Sequence, residues 1–369
     1  MGVKKVKRWI KHNVGWVVLK MIIALINILP LRIMYGLANG LAGLAWILRV
    51  RRQIVFNNLN RAFGREKDPQ EIRAIARETY RNIAKNICEL LRVFKFSQAE
   101  IDKMFTIQGR EYLDAALARG QGVIGLSAHL GNFPLMGAKL VQEGYPCASF
   151  IHGANEARVV RLFFDIGHRL GINLIPVSPS HASVRQSLKW LRENKVLCIQ
   201  ADRNSPQGVF VDFFGYPVAT PIGPVVLAKR TGATVLPMFV VREVNNKKAL
   251  PQSGKNLVNR ASLVEGASEA RPHNKKALPQ SGKNLVIQAS LVEGASEARP
   301  HNKHRIIFGP PVELEVTGNK EKDILVNSAK FTKIIESYIR RYPEQWLWTY
   351  KRWKTKPKKQ GEQGAVNSK

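Results

Sequence analysis

The sequence predicts an α/β protein with a mainly parallel central sheet covered by helices, and an N-terminal membrane-associated helical segment. Short apolar runs alternate with stretches of helical periodicity through the middle of the chain, which is typical of a parallel sheet covered on both faces. Two longer apolar runs lie near the N-terminus, between clusters of basic residues. With 369 residues, 45% of them hydrophobic, the chain can bury a full core.

The strands and helices of the body are predicted from the spacing of apolar residues. The predicted strands are 123–126, 147–151, 172–175 and 196–199. The predicted helices between them are 135–143, 157–170 and 182–194. Outside this core, residues 70–118 are predicted to be helical throughout, and 323–341 to form a late amphipathic helix.

The N-terminal segment, residues 1–52, is predicted to hold membrane-anchoring or interfacial helices. An apolar run at 14–31 is near the length that spans a bilayer, and a second run follows at 36–48. Lys20 inside the first run suits either a snorkelling side chain or a helix lying in the interface. No small-residue cleavage site follows, so we expect an anchor rather than a cleaved signal peptide. A buried helical hairpin is the alternative.

The net charge of +31 predicts a polyanionic partner: nucleic acid, an anionic membrane or an acidic protein. The apolar N-terminus favours the membrane, and no recognisable nucleic-acid-binding module is present, so we expect no nucleic acid partner. The three cysteines, Cys88, Cys147 and Cys198, are far apart in sequence and lie in apolar or amphipathic stretches. They argue against a disulfide framework and indicate a reducing compartment.

Residues 246–273 and 274–301 are a tandem repeat whose copies differ at two positions, Asn259/Ile287 and Arg260/Gln288. Two copies are too few for a solenoid. We therefore predict a largely disordered insertion, without catalytic role, in the turn of a β-hairpin formed by 237–244 and 304–308. The main domain then comprises 53–353, interrupted by 246–301, and 354–369 is a basic disordered tail.

The most informative segment is the one that follows the strand at 123–126. His129 lies at the carboxyl end of that strand, where open α/β sheets place their active sites. Asn132 is a predicted helix N-cap, with Pro134 in the first turn. A neutral imidazole in this position can take a proton from a hydroxyl group. A lone histidine is nevertheless more often structural than catalytic.

Two further features add to this segment. The backbone N–H groups of Gly131, Asn132 and Phe133 are predicted to stabilise an oxyanion. Asp202 and Arg203 follow the strand at 196–199, so they should reach the same edge of the sheet. Two roles are open for Asp202. It can orient His129, as the carboxylate of a catalytic triad does, or it can cap a turn.

The third element is an aromatic-rich stretch at 208–224. Phe210, Phe213 and Phe214 are predicted to form the mouth of an apolar chain-binding groove. Ordinary core packing over the sheet edge is the alternative. Thr220 is predicted to cap the helix that follows, with Pro221 behind it, and to contribute to substrate binding through further backbone donors.

These motifs together resemble the lipid A biosynthesis (lauroyl/myristoyl) acyltransferases, within the broader lysophospholipid acyltransferase-like superfamily. The resemblance covers nearly the whole chain except 246–301 and the tail. The matching stretches are Ser127–Phe133 (Ser-Ala-His-Leu-Gly-Asn-Phe), Ala201–Asn204, Gly208–Gly215, Ala219–Pro224, Leu227–Pro237, Arg51–Leu59 and Tyr342–Trp348.

The resemblance implies an inner-membrane enzyme that faces the cytoplasm. It implies transfer of a fatty acyl chain from an acyl carrier protein or coenzyme A thioester to a hydroxyl of a glycolipid, such as a lipid A precursor. No metal is required, and no cofactor beyond the thioester co-substrate. The family pattern is His, four residues, then Asp or Glu, but Pro134 occupies the carboxylate position here. We expect Asp202 to substitute for it, and Glu143 is a less plausible candidate.

Charge adds two substrate contacts to this expectation. Arg158 and Arg203 are candidates for binding phosphate groups of the donor or acceptor, because guanidinium pairs with phosphate through two hydrogen bonds. The basic surface also suits anionic lipid and an acidic carrier protein. The missing carboxylate motivates a different hypothesis, a catalytically inactive lipid-binding or scaffold protein that has lost the usual dyad.

Overall fold

The computed structural model describes residues 3–152, 157–178, 180–243 and 303–357. The helices are α1 (Val3–Ile28), α2 (Leu31–Ile47), α3 (Arg52–Phe63), α4 (Pro69–Leu91), α5 (Gln98–Met104), α6 (Arg110–Ala118), α7 (Phe133–Gln142), α8 (Ala157–Arg169), α9 (Ser180–Arg192), α10 (Gly223–Thr231) and α11 (Lys320–Arg341). The strands are β1 (Phe105–Gln108), β2 (Val123–Ser127), β3 (Cys147–Ile151), β4 (Asn173–Pro176), β5 (Val196–Gln200), β6 (Val209–Phe213), β7 (Tyr216–Thr220), β8 (Thr234–Arg242) and β9 (His304–Phe308).

A seven-stranded sheet, in the order β1-β9-β8-β2-β5-β3-β4, forms the centre of the fold. All its neighbours run parallel except β8 and β9, which pair antiparallel. Every residue of β2 and β8 is buried, as expected for strands covered on both faces. A separate two-stranded ribbon is formed by β6 and β7. The predicted mainly parallel α/β architecture is therefore confirmed.

The predicted strands and helices of the body agree with the structure to within two residues at each end. The predicted hairpin is also confirmed, since β8 and β9 pair from Met238↔Phe308 to Arg242↔His304. The repeat at 246–301 and most of the tail lie outside the described residues. Continuous helix over 70–118 is wrong, because β1 interrupts it and pairs with β9 at the edge of the sheet. A four-residue strand is too short to produce a clear periodicity.

The N-terminal helices dock on α4 through polar contacts as well as apolar ones. Asn27 at the end of α1 donates to the Leu91 carbonyl at 3.1 Å, and Arg92 donates to the Ile26 carbonyl at 2.7 Å. Within the described residues, no single helix is both long and apolar enough to cross a bilayer. By length and composition alone, α2 and α3 pass that test together, as a pair bent by 89°.

The register of β2 and β5 decides what meets at the carboxyl edge of the sheet. Val123 lies opposite Val196, and the pairing continues without a bulge to Ser127 opposite Gln200. The Ala201 N–H then donates to the Ser127 carbonyl at 3.0 Å. The same offset carried two residues further places His129 opposite Asp202. The fold thus brings together two side chains from the ends of different strands.

Candidate active site

His129 and Asp202 form a hydrogen-bonded pair at the carboxyl edge of the sheet. The His129 Nδ1 and Asp202 Oδ1 atoms are 2.7 Å apart, and the His129 backbone N–H donates to Oδ2 at 2.8 Å. Because a carboxylate accepts hydrogen bonds, Nδ1 carries the ring proton and Nε2 is left as the acceptor. The His129 side chain is 21% exposed, so the ring remains accessible.

Asp202 is buried, with 4% of its surface exposed, and it is nevertheless ionised. Burial alone would raise the pKa of this carboxyl. Its interactions with His129 and the hydrogen bond from the Trp346 indole N–H, 2.7 Å away, instead lower the pKa to about 2. Three donors therefore fix the carboxylate, and one of them is the imidazole. This arrangement can hold the His129 ring in one orientation and stabilise its protonated form.

A C-terminal segment, residues 345–347, lies along the loop that carries His129. The Leu347 N–H donates to the His129 carbonyl at 3.2 Å, and the Gly131 N–H donates to the Gln345 carbonyl at 3.0 Å. The prediction that the Gly131 N–H is a free oxyanion donor is therefore wrong, because that group already has a backbone acceptor. The segment carries Trp346, to which sequence reasoning assigned no role.

The N–H groups of Asn132 and Phe133 remain as candidate oxyanion donors. Asn132 is the N-cap residue of α7, as predicted, and Phe133 is the first helical residue, so its N–H has no acceptor within the helix. The Asn132 side chain does not cap the helix but donates to Glu89 at 2.8 Å. The Phe133 ring packs edge-on against His129, with ring centroids 5.1 Å apart. The start of α7 therefore faces the same space as the imidazole.

A cavity of about 220 Å³ lies beside His129, between the sheet and helices α7 and α8. Its wall is mostly apolar and extends along β3 and β5 from the carboxyl edge. The apolar lining residues include Pro134, Phe150, Ile151, Phe163, Ile166, Ile172 and Leu174. Cys147 and Cys198 also line it, with their sulfur atoms 3.5 Å apart, and both are free thiols. A cavity of this kind can take an alkyl chain whose end lies near the imidazole.

Polar groups line the cavity on the side of the His129–Asp202 pair. Arg203, predicted as a substrate-binding residue, lies here, with its guanidinium 5.3 Å from the centre of the Tyr350 ring. His152 lies here too, and its partial burial, together with the positive charges of Arg203 and His129, lowers its pKa. Sequence reasoning missed His152, although it follows a strand as directly as His129 does. The same rule would have found it.

Arg158, the other predicted phosphate ligand, does not line this cavity. It lies on α8, donates to the Asn13 side chain at 3.0 Å, and its guanidinium lies 5.3 Å from the centre of the Trp16 ring. These contacts connect α8 to the N-terminal helix α1. The position of Arg158 therefore agrees better with a role in packing these helices together.

The predicted aromatic mouth of the groove is also wrong, because Phe213 and Phe214 are buried at 1% and 5% exposure. Phe213 packs on Trp346 and Trp353, and Phe214 packs on Phe63, so both belong to an aromatic core. Phe210, also on β6, is half-buried and is not among the residues that line the cavity beside His129. Core packing, the alternative left open by the sequence, describes Phe213 and Phe214.

Thr220 does not cap a helix. It is the last residue of β7, and its hydroxyl accepts a hydrogen bond from the buried Arg352 guanidinium at 2.7 Å. The following helix, α10, begins at Gly223 with Ile222 as its N-cap. Because Arg352 also donates to the Arg203 carbonyl at 3.1 Å, Thr220 supports the loop behind the site.

The structure shows where Pro134, Glu143 and Asp202 lie relative to the His129 ring. Pro134 is in the first turn of α7 and lines the cavity, so no carboxylate is present where the family pattern has one. Glu143 lies beyond the other end of α7 and pairs with Lys139 and Arg110. Asp202 is the acidic side chain that contacts the His129 ring.

Comparison with known proteins finds similar sequences over most of the chain. A family profile described as bacterial lipid A biosynthesis acyltransferase matches residues 3–251 and 295–355, which is most of the chain. The match includes both strands that carry the His129–Asp202 pair and the C-terminal segment with Trp346.

Individual relatives are similar over shorter stretches. A phosphatidylinositol mannoside acyltransferase of Mycobacterium tuberculosis (strain H37Rv) is 37% identical over 133 residues, which cover 36% of this chain and 42% of that protein. A protein of the same description from Mycolicibacterium smegmatis is 27% identical over 184 residues, covering 49% of this chain and 60% of that protein. The chain thus spans about half the length of the curated relatives it matches.

Proposed function

We propose, given that this chain belongs to the bacterial lipid A biosynthesis acyltransferase family, that it transfers a fatty acyl chain from a thioester to a hydroxyl of a glycolipid. The observation that carries the proposal is the His129–Asp202 pair beside an apolar cavity. A donor thioester, of coenzyme A or an acyl carrier protein, would place its alkyl chain in the cavity and its carbonyl near the imidazole.

The reaction follows from the assigned tautomer of His129. Nε2 takes the proton from the acceptor hydroxyl while that oxygen attacks the thioester carbonyl carbon. The resulting oxyanion is stabilised by the N–H groups of Asn132 and Phe133. As the intermediate collapses, the carbon–sulfur bond breaks and the leaving thiolate takes the proton from Nε2. Asp202 keeps the ring oriented and balances its positive charge between the two proton transfers.

The acceptor in this proposal is a glycolipid that carries phosphate. The family description names lipid A biosynthesis, and the relatives are described as acting on phosphatidylinositol mannoside. Lipid A precursors and phosphatidylinositol mannosides both combine sugar hydroxyls with phosphate. Arg203 lines the cavity close to His129 and provides a guanidinium for that phosphate.

Substitution of His129 by Ala tests the chemistry. Purified protein in lipid vesicles is given acyl thioesters of coenzyme A and of carrier protein, each crossed with a phosphatidylinositol mannoside and a lipid A precursor. Mass spectrometry then detects the acylated product. We expect His129→Ala to lower the rate by about 10³-fold or more, since both the general base and its charge are lost.

The matched control is His168→Ala, because His168 is an exposed histidine near the end of α8. It should keep the rate of the unmodified protein. Full activity of His129→Ala would overturn the mechanism. Failure of the unmodified protein with every donor and acceptor, together with glycolipid binding, would favour the inactive scaffold. The intact His129–Asp202 pair argues against that alternative.

We also propose that the N-terminal helices lie on an anionic membrane surface. Apolar side chains along α1 and α2 are exposed, including Val14, Val17, Val18, Met21, Leu25, Ile33, Leu41, Leu44 and Ile47. Arg49, Arg51 and Arg52 follow directly, and they suit anionic headgroups. On α8, which is connected to α1 by Arg158, Phe163 and Phe164 are exposed at 41% and 38%. Phe163 also lines the cavity, which gives a lipid chain a short path into it.

Vesicle flotation tests the membrane proposal. The double variant Val17→Asp with Met21→Asp should lose most binding to anionic vesicles, because two charges would enter the apolar interface. Val184→Asp, on α9, is the control, since Val184 is exposed at 40% and lies outside the N-terminal helices. Equal binding by both variants would contradict the proposal. Equal binding to anionic and neutral vesicles would contradict the proposed contact of Arg49, Arg51 and Arg52 with anionic headgroups.

A further inference from the structure

A buried polar cluster lies between α4 and the turn that follows His129. We call it the Glu89 cluster. Its members are Tyr35, Asn86, Glu89, Asn132, Arg242 and His304. The cluster combines residues from α2, α4, β8 and β9 with the N-cap residue of α7. None of its members was singled out by sequence reasoning except Asn132.

Glu89 is fully buried, and its carboxylate is saturated with donors. Arg242 donates through Nη1 at 2.6 Å and Nη2 at 2.9 Å, and Tyr35 donates its hydroxyl at 2.7 Å. Asn132 donates at 2.8 Å, and the His304 Nε2 atom is 3.2 Å away. Burial alone would raise the pKa of Glu89, but Arg242 and His304 hold it well below its usual value. The cluster therefore contains an ionised carboxylate paired with a buried guanidinium.

The Gly131 peptide is held from both sides. Its carbonyl accepts from the Asn86 side chain at 2.9 Å, and its N–H donates to Gln345. Arg242 supports both partners, because its guanidinium donates to Asn86 at 2.6 Å and its backbone bonds twice with the Gln345 side chain. Gly131 has a φ of +60°, and a Cβ there would lie 2.1 Å from the Val240 carbonyl oxygen. The turn is tightly packed and has little room to move.

We propose that Glu89 is a positioning residue for acyl transfer, which fixes the Gly131–Phe133 turn through Asn132 and Arg242 so that the N–H groups of Asn132 and Phe133 meet the reacting carbonyl. The inference rests on the function proposed above. It gives a specific task to a buried charged cluster that does not touch the substrate cavity. It also makes α2 part of the support for the active site, because Tyr35 connects that helix to Glu89.

Two variants test the proposal without leaving a buried charge unpaired. Asn132→Ala removes the bond between the turn and Glu89 but keeps the Glu89–Arg242 pair. We expect kcat to fall by about tenfold to a hundredfold, because small displacements of oxyanion donors are costly, while KM for the thioester stays the same. Tyr35→Phe loses a single donor and should lower kcat by about tenfold or less.

The matched control is Asn327→Ala. Asn327 is also a fully buried amide and makes hydrogen bonds of 2.7 to 2.9 Å to the Asp323 carbonyl and the Glu315 backbone, but it lies on α11. All rates are expressed per folded molecule, with the folded fraction taken from thermal unfolding. A merely structural role for Asn132 predicts similar losses of stability in the two asparagine variants and an unchanged kcat in both. The positioning role predicts a kcat effect in Asn132→Ala alone.

Hydrogen exchange of the peptide that covers residues 129–133 gives a readout independent of catalysis. Tyr35→Phe should increase exchange there and leave the peptide around Asn327 unchanged. In the double variant, Asn132→Ala with Tyr35→Phe, the fold-decrease in kcat should be smaller than the product of the two single fold-decreases, because both substitutions act through Glu89. Unchanged kcat and unchanged exchange in an active protein would overturn the proposal. Absence of product from the unmodified protein would instead contradict the acyl-transfer function itself.

Discussion

Two buried carboxylates, Asp202 and Glu89, lie near the His129 loop and are held in different ways. Asp202 accepts hydrogen bonds from His129 and Trp346, and its main partner is a partly exposed imidazole beside a cavity. Glu89 accepts from partners that are themselves mostly enclosed, and its principal partner, Arg242, is always charged. The first arrangement leaves one nitrogen free for proton transfer. In the second, both carboxylate oxygens accept hydrogen bonds and the group does not line the cavity beside His129, so we assign it a positioning role. Burial and charge alone do not identify a catalytic carboxylate.

The largest expected effect comes from the Asp202 side of this comparison. Asp202→Asn should lower the acyl-transfer rate by about 10³- to 10⁴-fold, because the amide cannot hold the Nδ1–H tautomer or balance the imidazolium charge. KM for the thioester should change little, and the free energy of unfolding at neutral pH should fall by about 2 kcal/mol, because the stabilisation by the ionised carboxylate is lost. The measurement is steady-state kinetics with vesicle-bound acceptor, next to thermal unfolding. An unchanged rate would return Asp202 to the role of a turn residue.

The corresponding change at Glu89 should act mainly on stability. Glu89→Gln leaves the buried Arg242 guanidinium without its counter-charge, and such losses cost about 3 to 5 kcal/mol. We expect a large fall in the free energy of unfolding, measured by urea titration of purified protein. Glu78→Gln provides the control, since Glu78 forms a half-exposed ion pair with Arg81 and its loss should cost less than about 1 kcal/mol. Equal losses would remove the distinction between the two kinds of pair.

The two carboxylates also differ in how far the sequence predicts them. Asp202 could be predicted because it directly follows an apolar strand, and the carboxyl ends of parallel strands share an edge. Its contact with His129 needed one more fact, that β5 lies next to β2. Strand order depends on crossover connections that leave no local pattern in the sequence. The family motif instead predicts a carboxylate at position 134. This chain has Pro134 there, and Pro134 is part of the apolar wall of the cavity.

Glu89 could not be predicted from local pattern. A glutamate in an amphipathic helix is usually solvent-exposed, and two of the partners of Glu89, Arg242 and His304, come from strands more than 150 residues away. The role of Trp346 could not be predicted either. Its indole donates a hydrogen bond to Asp202 from a C-terminal segment that has no regular periodicity. Phe213 and Phe214 show the reverse error. Their density in one stretch indicated a groove, but aromatic partners distant in sequence bury them in the core.

The smallest of these effects is the pH dependence of the free energy of unfolding that results from ionisation of Asp202. Its folded-state pKa of about 2 lies below that of an unfolded aspartate, so folding favours the ionised form. The resulting stabilisation, about 2 kcal/mol, is complete above pH ~4 and is lost as the pH falls toward 2. Unfolding titrations between pH 6 and pH 2.5 should show this component in the unmodified protein and lack it in Asp202→Asn. Identical pH slopes in the two proteins would mean that the His129–Asp202 pair is weaker than its geometry indicates.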